Sequence, residues 1–446
     1  MKNPAIFKSY DVRGIYPDDI DEKAVYATGR ALVQYLQAQV VAVGRDIRTS
    51  SPPLFESLVK GITEAGADVI DLGIVSTPVL NYSTTVLDVD AGLMLTASHN
   101  PAQYNGLKFC KRNAVPMGLE TGLSDIRDQA IAGNFNKTDK PGTITQNNAL
   151  TKQFHDKTAQ FVTFDNTPFT IAFDFANAMG IAELPFFERF PNLTIHSIYD
   201  EYDGSFPNHE ANPLKPETLI DLGTLVREQD AAMGIAYDGD GDRIGFTDET
   251  GAPVPGDLIL AIIAQELFKL QGAGDVIADP RCTRALKEIV EEKNGTYRLC
   301  KVGHSHIKKM MRENNSLVGG EVSMHYYFRD FGFADNSNLV AVLILNLMAE
   351  TGNKLSEIVA EVRRYHHSGE INFEVKDSTT LIQTLKEEYA DGELSEIDGI
   401  RIDYPDWWFS VRSSNTEPVV RLNLEATNDK LLEARKAELT QHIQEA

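Results

Sequence analysis

The sequence predicts an α/β protein in which three related α/β domains, with mixed and mostly parallel sheets, precede a smaller C-terminal α+β domain. Its 446 residues exceed the length at which a single hydrophobic core stops growing, about 250–300 residues, so several domains are expected. Strand and helix patterns alternate in three successive stretches, which is typical of parallel sheets covered by helices. The last stretch links strands through short connections and therefore predicts a separate α+β unit.

The first domain is predicted over residues 1–150. Its second helix has the clearest signals, because Ser51 can cap it, two prolines suit its first turn and Gly66 suits the position after its end. In order, the predicted elements are an amphipathic helix from Val25 to Leu36, strand Val40–Val43, the Ser51 helix, strand Asp68–Leu72 and strand Ala91–Leu95.

The alternation resumes in domains predicted over residues 151–252 and 253–367, and a last domain is predicted over residues 368–446. His367 to Gly369 would form a hinge before the last domain. The predicted elements are strands Thr170–Phe173, Leu193–Ile198, Ala231–Tyr237 and Ile244–Thr247 with helices Leu184–Phe190 and Glu217–Gln229, then strands Asn372–Val375, Ile400–Ile402, Trp407–Val411 and Val419–Leu424 with helices Thr380–Tyr389 and Asp429–Gln444.

Acidic residues outnumber basic ones, 65 against 42, and give a formal net charge of −23. This excess argues against binding of nucleic acid or an anionic membrane through the overall field. A small phosphate ester can still bind where Arg, Lys and backbone N–H groups converge. The three cysteines form no CxxC pair, and no segment resembles a signal peptide or a membrane span, so a cytoplasmic protein is expected.

A serine follows the predicted strand Ala91–Leu95 within the sequence TASHNP. At the end of this strand the Ser98 hydroxyl could carry a phosphoryl group, provided that a metal ion and cationic donors surround it. The same residues also suit an ordinary turn in which Ser98 and Asn100 bond to the backbone. TASHNP alone leaves both interpretations open.

Three carboxylates alternate with glycines in DGDGDR, between two predicted strands. Asp238, Asp240 and Asp242 can converge on one hard cation, since glycines permit tight backbone curvature. An EF-hand calcium loop would also place carboxylates at alternate positions, but it needs glycine where Arg243 stands and helices where the flanks predict strands. Mg²⁺ or a similar ion is therefore favoured over Ca²⁺, and a solvated acidic turn is the remaining alternative.

The segment GEVSMH follows a third strand pattern, Ser316–Val318. In an extended segment Glu321, Ser323 and His325 would point to the same side, where they could bind sugar hydroxyls and move a proton. A plain edge strand with a hydrogen-bonded histidine is the alternative.

A polar loop, RSSNTEP, lies between two predicted strands of the last domain. Arg412, together with hydroxyl, amide and backbone donors, could surround a phosphate group. A merely polar hairpin would have the same composition. The donors beside Arg412 are Ser413, Ser414, Asn415 and Thr416.

Taken in order, TASHNP, DGDGDR, GEVSMH and RSSNTEP resemble the motifs of the α-D-phosphohexomutase superfamily, and the bacterial-type phosphomannomutase/phosphoglucomutase branch in particular. The resemblance begins at FKSYDVRG near the N-terminus and covers essentially the whole chain. It implies four domains around a central cleft and reversible phosphoryl transfer between C6 and C1 of a hexose. It also implies bound Mg²⁺ and a hexose 1,6-bisphosphate that serves as activator and intermediate.

The resemblance further implies a role for each matching residue. Ser98 would be the phosphoserine and would share Mg²⁺ with Asp238, Asp240 and Asp242. Catalytic roles fall to Lys108 as general acid/base and to His325, Arg13 and Arg243, and substrate binding falls to Tyr10, His99, Arg281, His304, Glu321, Ser323, Arg412, Ser414, Asn415 and Thr416.

Small hexose phosphates are the expected partners, and the protein is expected to be a monomer or a weak homodimer. Mannose phosphate is the expected substrate, together with glucose phosphate, because these C2 epimers differ in one hydroxyl only. Val322 stands where phosphoglucosamine mutases carry a polar residue, which disfavours an amino sugar as substrate. A phosphatase and a non-catalytic sugar-phosphate sensor on the same fold are competing hypotheses, and the presence of Ser98, Lys108 and the three aspartates argues against a sensor.

Overall fold

A computed structural model describes residues 3–136, 138–164, 166–413 and 419–445. The described residues form two compact units. The first unit comprises Met1–Val254 and Ser323–Ser356, and the second comprises Pro255–Val322 and Glu357–Ala446. Among the described residues, no helix is long and apolar enough to cross a membrane.

The first sheet has the strand order β1-β5-β4-β2-β3-β7, with β6 paired to β5. Its centre is parallel, whereas β5 runs antiparallel to its neighbours β1 and β4. Its strands are β1 (Asp11–Ile15), β2 (Val40–Arg45), β3 (Asp68–Ile74), β4 (Ala91–Leu95), β5 (Tyr104–Lys111), β6 (Val115–Pro116) and β7 (Ile144–Gln146), and its helices are α1 (Glu22–Leu36), α2 (Ser51–Glu64), α3 (Thr77–Val86) and α4 (Leu123–Ala132).

Helix α2 begins one residue earlier than its predicted cap implies. Ser50 is the N-cap residue and makes no capping hydrogen bond through its side chain, so the prediction for Ser51 is wrong. The Ser51 hydroxyl instead donates to the buried carboxylate of Asp46 at 2.7 Å. Gly66 follows the helix with φ of +100°, as its predicted position after the helix end requires.

The second sheet has the order β12-β11-β10-β8-β9. Strands β8, β9 and β10 are parallel, and the chain then reverses so that β10, β11 and β12 are antiparallel. The elements are α5 (Leu150–Thr158), β8 (Phe169–Asp174), α6 (Leu184–Glu188), β9 (Leu193–Ile198), α7 (Ile220–Glu228), β10 (Met233–Tyr237), β11 (Ile244–Thr247) and β12 (Pro253–Val254).

The next segment contributes to both units. In the second unit β14, β13 and β15 are parallel, in that order. In the first unit β16 and β17 pair antiparallel. The elements are α8 (Gly256–Gln271), β13 (Asp275–Ala278), α9 (Arg284–Glu292), β14 (Thr296–Leu299), α10 (His304–Asn314), β15 (Val318–Gly320), β16 (Tyr326–Phe328), β17 (Ala334–Asp335), α11 (Ser337–Thr351) and α12 (Leu355–Val362).

The GEVSMH segment is not extended. The prediction that Glu321, Ser323 and His325 point to the same side of a strand is therefore wrong. Val322 and Ser323 form a turn, and Met324 has φ of +67°. A left-handed residue reverses the local direction of the chain, so alternation along a strand does not apply there.

The last segment forms an antiparallel sheet in the order β18-β23-β22-β21-β20, with β19 paired to β23. Helices α13 and α14 cover an apolar core that includes Phe409, Leu422 and Leu439, which confirms the α+β class. The elements are β18 (His366–His367), β19 (Ile371–Glu374), α13 (Ser378–Glu388), β20 (Glu393–Ser395), β21 (Ile400–Asp403), β22 (Trp407–Ser413), β23 (Val419–Ala426) and α14 (Asp429–Glu445).

Candidate active site

Ser98 lies in the turn that follows the buried strand β4. The residue is only 2% exposed, and its hydroxyl donates to Asp238 Oδ2 at 2.8 Å. Its backbone N–H donates to the hydroxyl of Thr96 at 3.0 Å. The φ of Ser98 is +50°, a conformation that a serine adopts only when its surroundings impose it. The turn therefore directs the hydroxyl toward the carboxylate.

The buried side chain of Arg48, which the sequence interpretation did not single out, holds this turn. Its Nε donates to Asp46 Oδ2 at 3.1 Å. Its two terminal nitrogens donate to four backbone carbonyl oxygens at 2.6 to 3.0 Å, those of Ser98, Asn100, Pro101 and Tyr104. The available signal was Asp46 and Arg48 directly after the apolar strand β2, where two charges need a structural reason.

The acidic loop between β10 and β11 reaches the same turn. Asp238, Asp240 and Asp242 are 0%, 0% and 6% exposed, and each offers an oxygen within 4.8 Å of the others. Gly239 is needed for the close approach, because a Cβ at this position would lie 2.2 Å from the Ser98 carbonyl oxygen. The predicted convergence of the three carboxylates is what the structure shows.

Lys108, on the antiparallel strand β5, partly neutralises the carboxylates. Its Nζ lies 2.6 Å from Asp240 Oδ2 and 2.5 Å from Asp242 Oδ2. Burial lowers the pKa of Lys108, but the three aspartates outweigh burial and raise it well above its ordinary value. The side chain is therefore an ammonium that can donate a proton.

The aspartates differ in their proton affinity. Burial and the charges of Asp240 and Asp242 raise the pKa of Asp238 to about 7. Burial also acts to raise the pKa of Asp242, yet the charges of Lys108 and His325 hold it well below its usual range. The proton affinities of the carboxylates are thus set by burial, by one another and by the charges of Lys108, Arg243 and His325.

The donor set fits Mg²⁺. All three side chains offer hard oxygen ligands, and Asp240 Oδ1 is buried without a hydrogen-bond partner among the described residues. The loop is flanked by strands β10 and β11, and Arg243 stands at the position where an EF-hand needs glycine, so the calcium-loop alternative does not fit.

Cationic and imidazole side chains surround Ser98. Arg13, which lies on strand β1, donates to Asn100 Oδ1 at a distance of 2.6 Å. Arg243 Nε lies 3.9 Å from Asp238 Oδ2. His99 Nδ1 lies 3.2 Å from Ser98 Oγ, and burial together with Arg243 and Arg13 lowers the pKa of His99 far below neutrality, so this imidazole is uncharged.

His325 and Ser323 complete the cluster of predicted residues in the first unit. His325 Nε2 lies 3.3 Å from Arg243 Nε and 3.4 Å from Asp242 Oδ1. Its Nδ1 lies 3.0 Å from the Ser323 hydroxyl. Tyr10 is half-buried just before β1.

The remaining predicted residues lie in the second unit. The buried carboxylate of Glu321 accepts the N–H of Gly303 at 2.9 Å, immediately before His304 begins α10. Arg281 is buried against Asp279, and Arg412 lies near the end of β22. Ser414, Asn415 and Thr416 lie outside the described residues.

A buried serine donates to one of three clustered carboxylates, with a lysine and two arginines around it, and this set of groups is chemically suited to phosphoryl transfer. Four domain models of a single family match the chain. They are "Phosphoglucomutase/phosphomannomutase, alpha/beta/alpha domain" I at residues 4–138, II at 151–251 and III at 255–365, and the family's C-terminal domain at 370–442.

Full-length relatives agree with these matches. A phosphomannomutase of Methanocaldococcus jannaschii is 37% identical over 97% of this chain and 96% of its own length, and one of Escherichia coli is 36% identical over 98% of each chain. A phosphoglucomutase/phosphomannomutase family protein of Burkholderia thailandensis has a solved structure with a TM-score of 0.90, 30% identity, and coverage of 100% of this chain and 98% of its own. The chain belongs to the phosphoglucomutase/phosphomannomutase family, and it is an isomerase-type phosphomutase.

Proposed function

We propose that the protein interconverts hexose 6-phosphate and hexose 1-phosphate through phospho-Ser98 and a hexose 1,6-bisphosphate intermediate. Mannose phosphates are the proposed main substrates and glucose phosphates the second ones, since the epimers differ in one hydroxyl. The names of the archaeal and bacterial relatives, phosphomannomutase in both cases, support this choice.

The observation that carries the proposal is the contact between the Ser98 hydroxyl and the buried carboxylate cluster. Ser98 Oγ lies 2.8 Å from Asp238 Oδ2, and Lys108 lies on the neighbouring carboxylates. A serine that served only as a turn residue would bond to nearby backbone, not to a charged cluster 140 residues further along the chain.

We assign the roles around Ser98 from the family resemblance, and the contacts described above support them. Asp238, Asp240, Asp242 and a phosphoserine oxygen would hold Mg²⁺, which supplies positive charge for the transferring phosphoryl group. Arg13 and Arg243 would bind the equatorial oxygens, since guanidinium groups match phosphate geometry. Lys108, held as an ammonium, would give its proton to the oxygen that departs in each transfer and recover one from the hydroxyl that attacks.

The sugar and its second phosphate would be held by the remaining residues. Glu321 and Ser323 would accept and donate hydrogen bonds to vicinal hydroxyls. Arg412, with a planar fork of donors, would bind the phosphate that is not reacting. We further assign Tyr10, His99, Arg281, His304, His325, Ser414, Asn415 and Thr416 to substrate binding or proton transfer.

The reaction would consist of two in-line transfers. Phospho-Ser98 gives its phosphoryl group to the free hydroxyl of the bound monophosphate, the resulting bisphosphate turns over, and its second phosphoryl group returns to Ser98. The first transfer breaks the Ser98 Oγ–phosphorus bond and forms an ester with the sugar hydroxyl, and the second breaks the other sugar ester and forms a new Ser98 Oγ–phosphorus bond, so no phosphate is consumed. We assign residues 1–150 to phosphoserine, 151–252 to metal, 253–367 to sugar and 368–446 to the distal phosphate, and we propose that the enzyme acts in the cytoplasm.

Intact-mass spectrometry tests the central step. Freshly purified protein should contain a fraction that is heavier by one phosphate group, and Ser98→Ala should lose both this species and mutase activity. Ser323→Ala is a suitable comparison, because it should keep the phosphate and lose only part of the activity. An active, unmodified Ser98→Ala enzyme would refute the proposal.

The substrate is tested by kcat/KM for mannose 1-phosphate, glucose 1-phosphate and glucosamine 1-phosphate, with a trace of the bisphosphate present. The proposal expects mannose and glucose phosphates to react and glucosamine phosphate to react poorly. Release of inorganic phosphate faster than isomerisation would favour a phosphatase instead.

A further inference from the structure

Three arginines converge on one carboxylate in the second unit. Glu370 lies 3.4 Å from Arg281, 3.5 Å from Arg412 and 3.1 Å from Arg421, measured between the nearest nitrogen and oxygen atoms. The side chain of Glu370 is 26% exposed, whereas those of Arg281 and Arg412 are 9% and 13% exposed. These two arginines are thus more deeply buried than the anion beside them.

The register of the last sheet explains why an anion is needed. Arg412 on β22 and Arg421 on β23 are directly opposite each other in the antiparallel pair. Like charges in this relation destabilise a sheet. Burial and the charge of Arg281 both lower the pKa of Arg412, while Glu370 acts in the opposite direction. Glu370 therefore relieves repulsion that the fold creates.

Glu370 is held more loosely than an ordinary structural partner. Arg281 already has short contacts to the fully buried Asp279, at 2.9 and 2.8 Å. Its contact with Glu370, at 3.4 Å, exceeds the roughly 2.7–2.9 Å of a charge-assisted hydrogen bond. Arg281 is therefore positioned by Asp279, and Glu370 is shared among three charges without a close bond to any except Arg421.

Glu370 is a partly exposed carboxylate among the several that act on these arginines. Asp279 and Glu321 also act on Arg281, and Asp398 acts on Arg412. A phosphate dianion offers three oxygens to guanidinium donors and carries more charge than one carboxylate. Such a group can replace Glu370 with a gain in attraction, and the exposed side of Glu370 lets it move into solvent.

We propose that Glu370 is an internal competitor of the substrate phosphate: it holds the arginines together in the substrate-free protein and is displaced when the distal phosphate binds. This inference rests on the proposed function, because it takes Arg412 as a phosphate ligand. Displacement weakens phosphate binding. An intermediate that must exchange its two phosphates needs such reversible binding, since tight retention of one phosphate would prevent the turn.

Inorganic phosphate binding to the full-length protein tests the proposal. Glu370→Gln keeps the shape of the side chain and removes its charge, and it should bind inorganic phosphate about tenfold more tightly in calorimetry, since one like charge is removed at contact distance. Glu374→Gln, an exposed change at the end of β19, the strand that Glu370 directly precedes, is the matched control and should bind like wild type. Equal or weaker binding by Glu370→Gln overturns the proposal.

Two further measurements distinguish competition from a structural role. Phosphate should raise the melting temperature of Glu370→Gln more than that of wild type, because the variant lacks the internal anion. In turnover, Glu370→Gln should lower both KM and kcat, and a raised KM overturns the proposal. If phosphate binding is unaffected by Arg412→Ala, the proposed role of Arg412 fails as well. If Arg412→Ala abolishes binding and Glu370→Gln does not strengthen it, only the competition fails.

Discussion

Replacing Arg48 by methionine should open the Ser98 turn. Methionine has an unbranched side chain of similar length, but it lacks the donors that Arg48 provides to four backbone carbonyls and to Asp46. Asp46 is fully buried, and burial already raises its pKa, so its charge would lose its main counter-ion. Removing one partner of a buried pair costs about 3–5 kcal/mol.

The free-energy cost of Arg48→Met should appear as local opening of the Ser98 turn. A loss of about 4 kcal/mol corresponds to a fall of roughly three orders of magnitude in the protection of backbone amides, at 1.4 kcal/mol for each factor of ten. Hydrogen exchange followed by mass spectrometry on the peptide covering residues 96–105 measures this directly. Full mutase kinetics on the same sample should show a corresponding loss of kcat, because the Ser98 hydroxyl is no longer fixed.

Arg45→Met is the matched control. Arg45 is the last residue of β2, shortly before Arg48, but its side chain is 23% exposed and its ion pair with Asp71 lies at 3.2 Å, so its loss should change protection of the peptide by less than about threefold. Adding Asp46→Asn to Arg48→Met should recover part of the protection, because the isolated charge is removed. Protection that falls less than about tenfold in Arg48→Met would refute the reasoning, since the buried charge would then cost little.

Further perturbations follow from the same contacts. Gly239→Ala should lower kcat about 100-fold with little change in KM, because the new Cβ displaces the acidic loop from Ser98 and small misplacements are costly; wild-type kcat would contradict this. Asp240→Asn should lower Mg²⁺ affinity in calorimetry at least about tenfold, since it removes a charged oxygen ligand. His209 lies 3.0 Å from Asp174, which raises its pKa although burial opposes the shift. His209→Gln should therefore lower the melting temperature more at pH 5.5 than at pH 9. A histidine whose pKa is raised in the folded protein stabilises the fold below its unfolded pKa of 6.5, and this stabilisation is lost as the pH rises through the folded pKa. Equal losses of melting temperature at the two pH values would exclude this role of His209.

Regular elements could be predicted where an apolar run has clear limits. Strands β4, β9 and β11 have the predicted bounds, because each apolar run ends in turn residues or charges. The start of α2 could not be predicted from a cap residue alone, since the hydroxyl of Ser51 bonds to Asp46, a tertiary partner. A single residue with positive φ, Met324, was enough to invalidate an argument from strand alternation.

In the candidate site, too, some residues could be predicted from the sequence and others could not. Asp238 to Asp242 could be predicted as a cluster because three acidic residues and two glycines in one short loop leave few arrangements. The roles of Arg48 and Glu370 depend on partners 50 or more residues away along the chain, such as the Ser98 carbonyl and Arg421. The two charges after β2 indicate a structural role for Arg48, but no local pattern identifies its distant partners or those of Glu370, so only the fold could reveal these contacts.

The contact between Ser98 and Asp238 also indicates what phosphorylation of Ser98 requires from the charges around it. An unmodified serine donates to Asp238 Oδ2 at 2.8 Å. The proposed phosphoserine has no hydroxyl proton to donate and brings about 1.5–2 negative charges to the same point. The three buried carboxylates are already matched by the positive charges of Lys108, Arg13 and Arg243, so the phosphorylated form needs added positive charge there. The phosphate on Ser98 should therefore be retained in Mg²⁺ and lost or strained in its absence, and a Mg²⁺-independent lifetime of the phosphoserine, measured by intact mass after chelation, would contradict this argument.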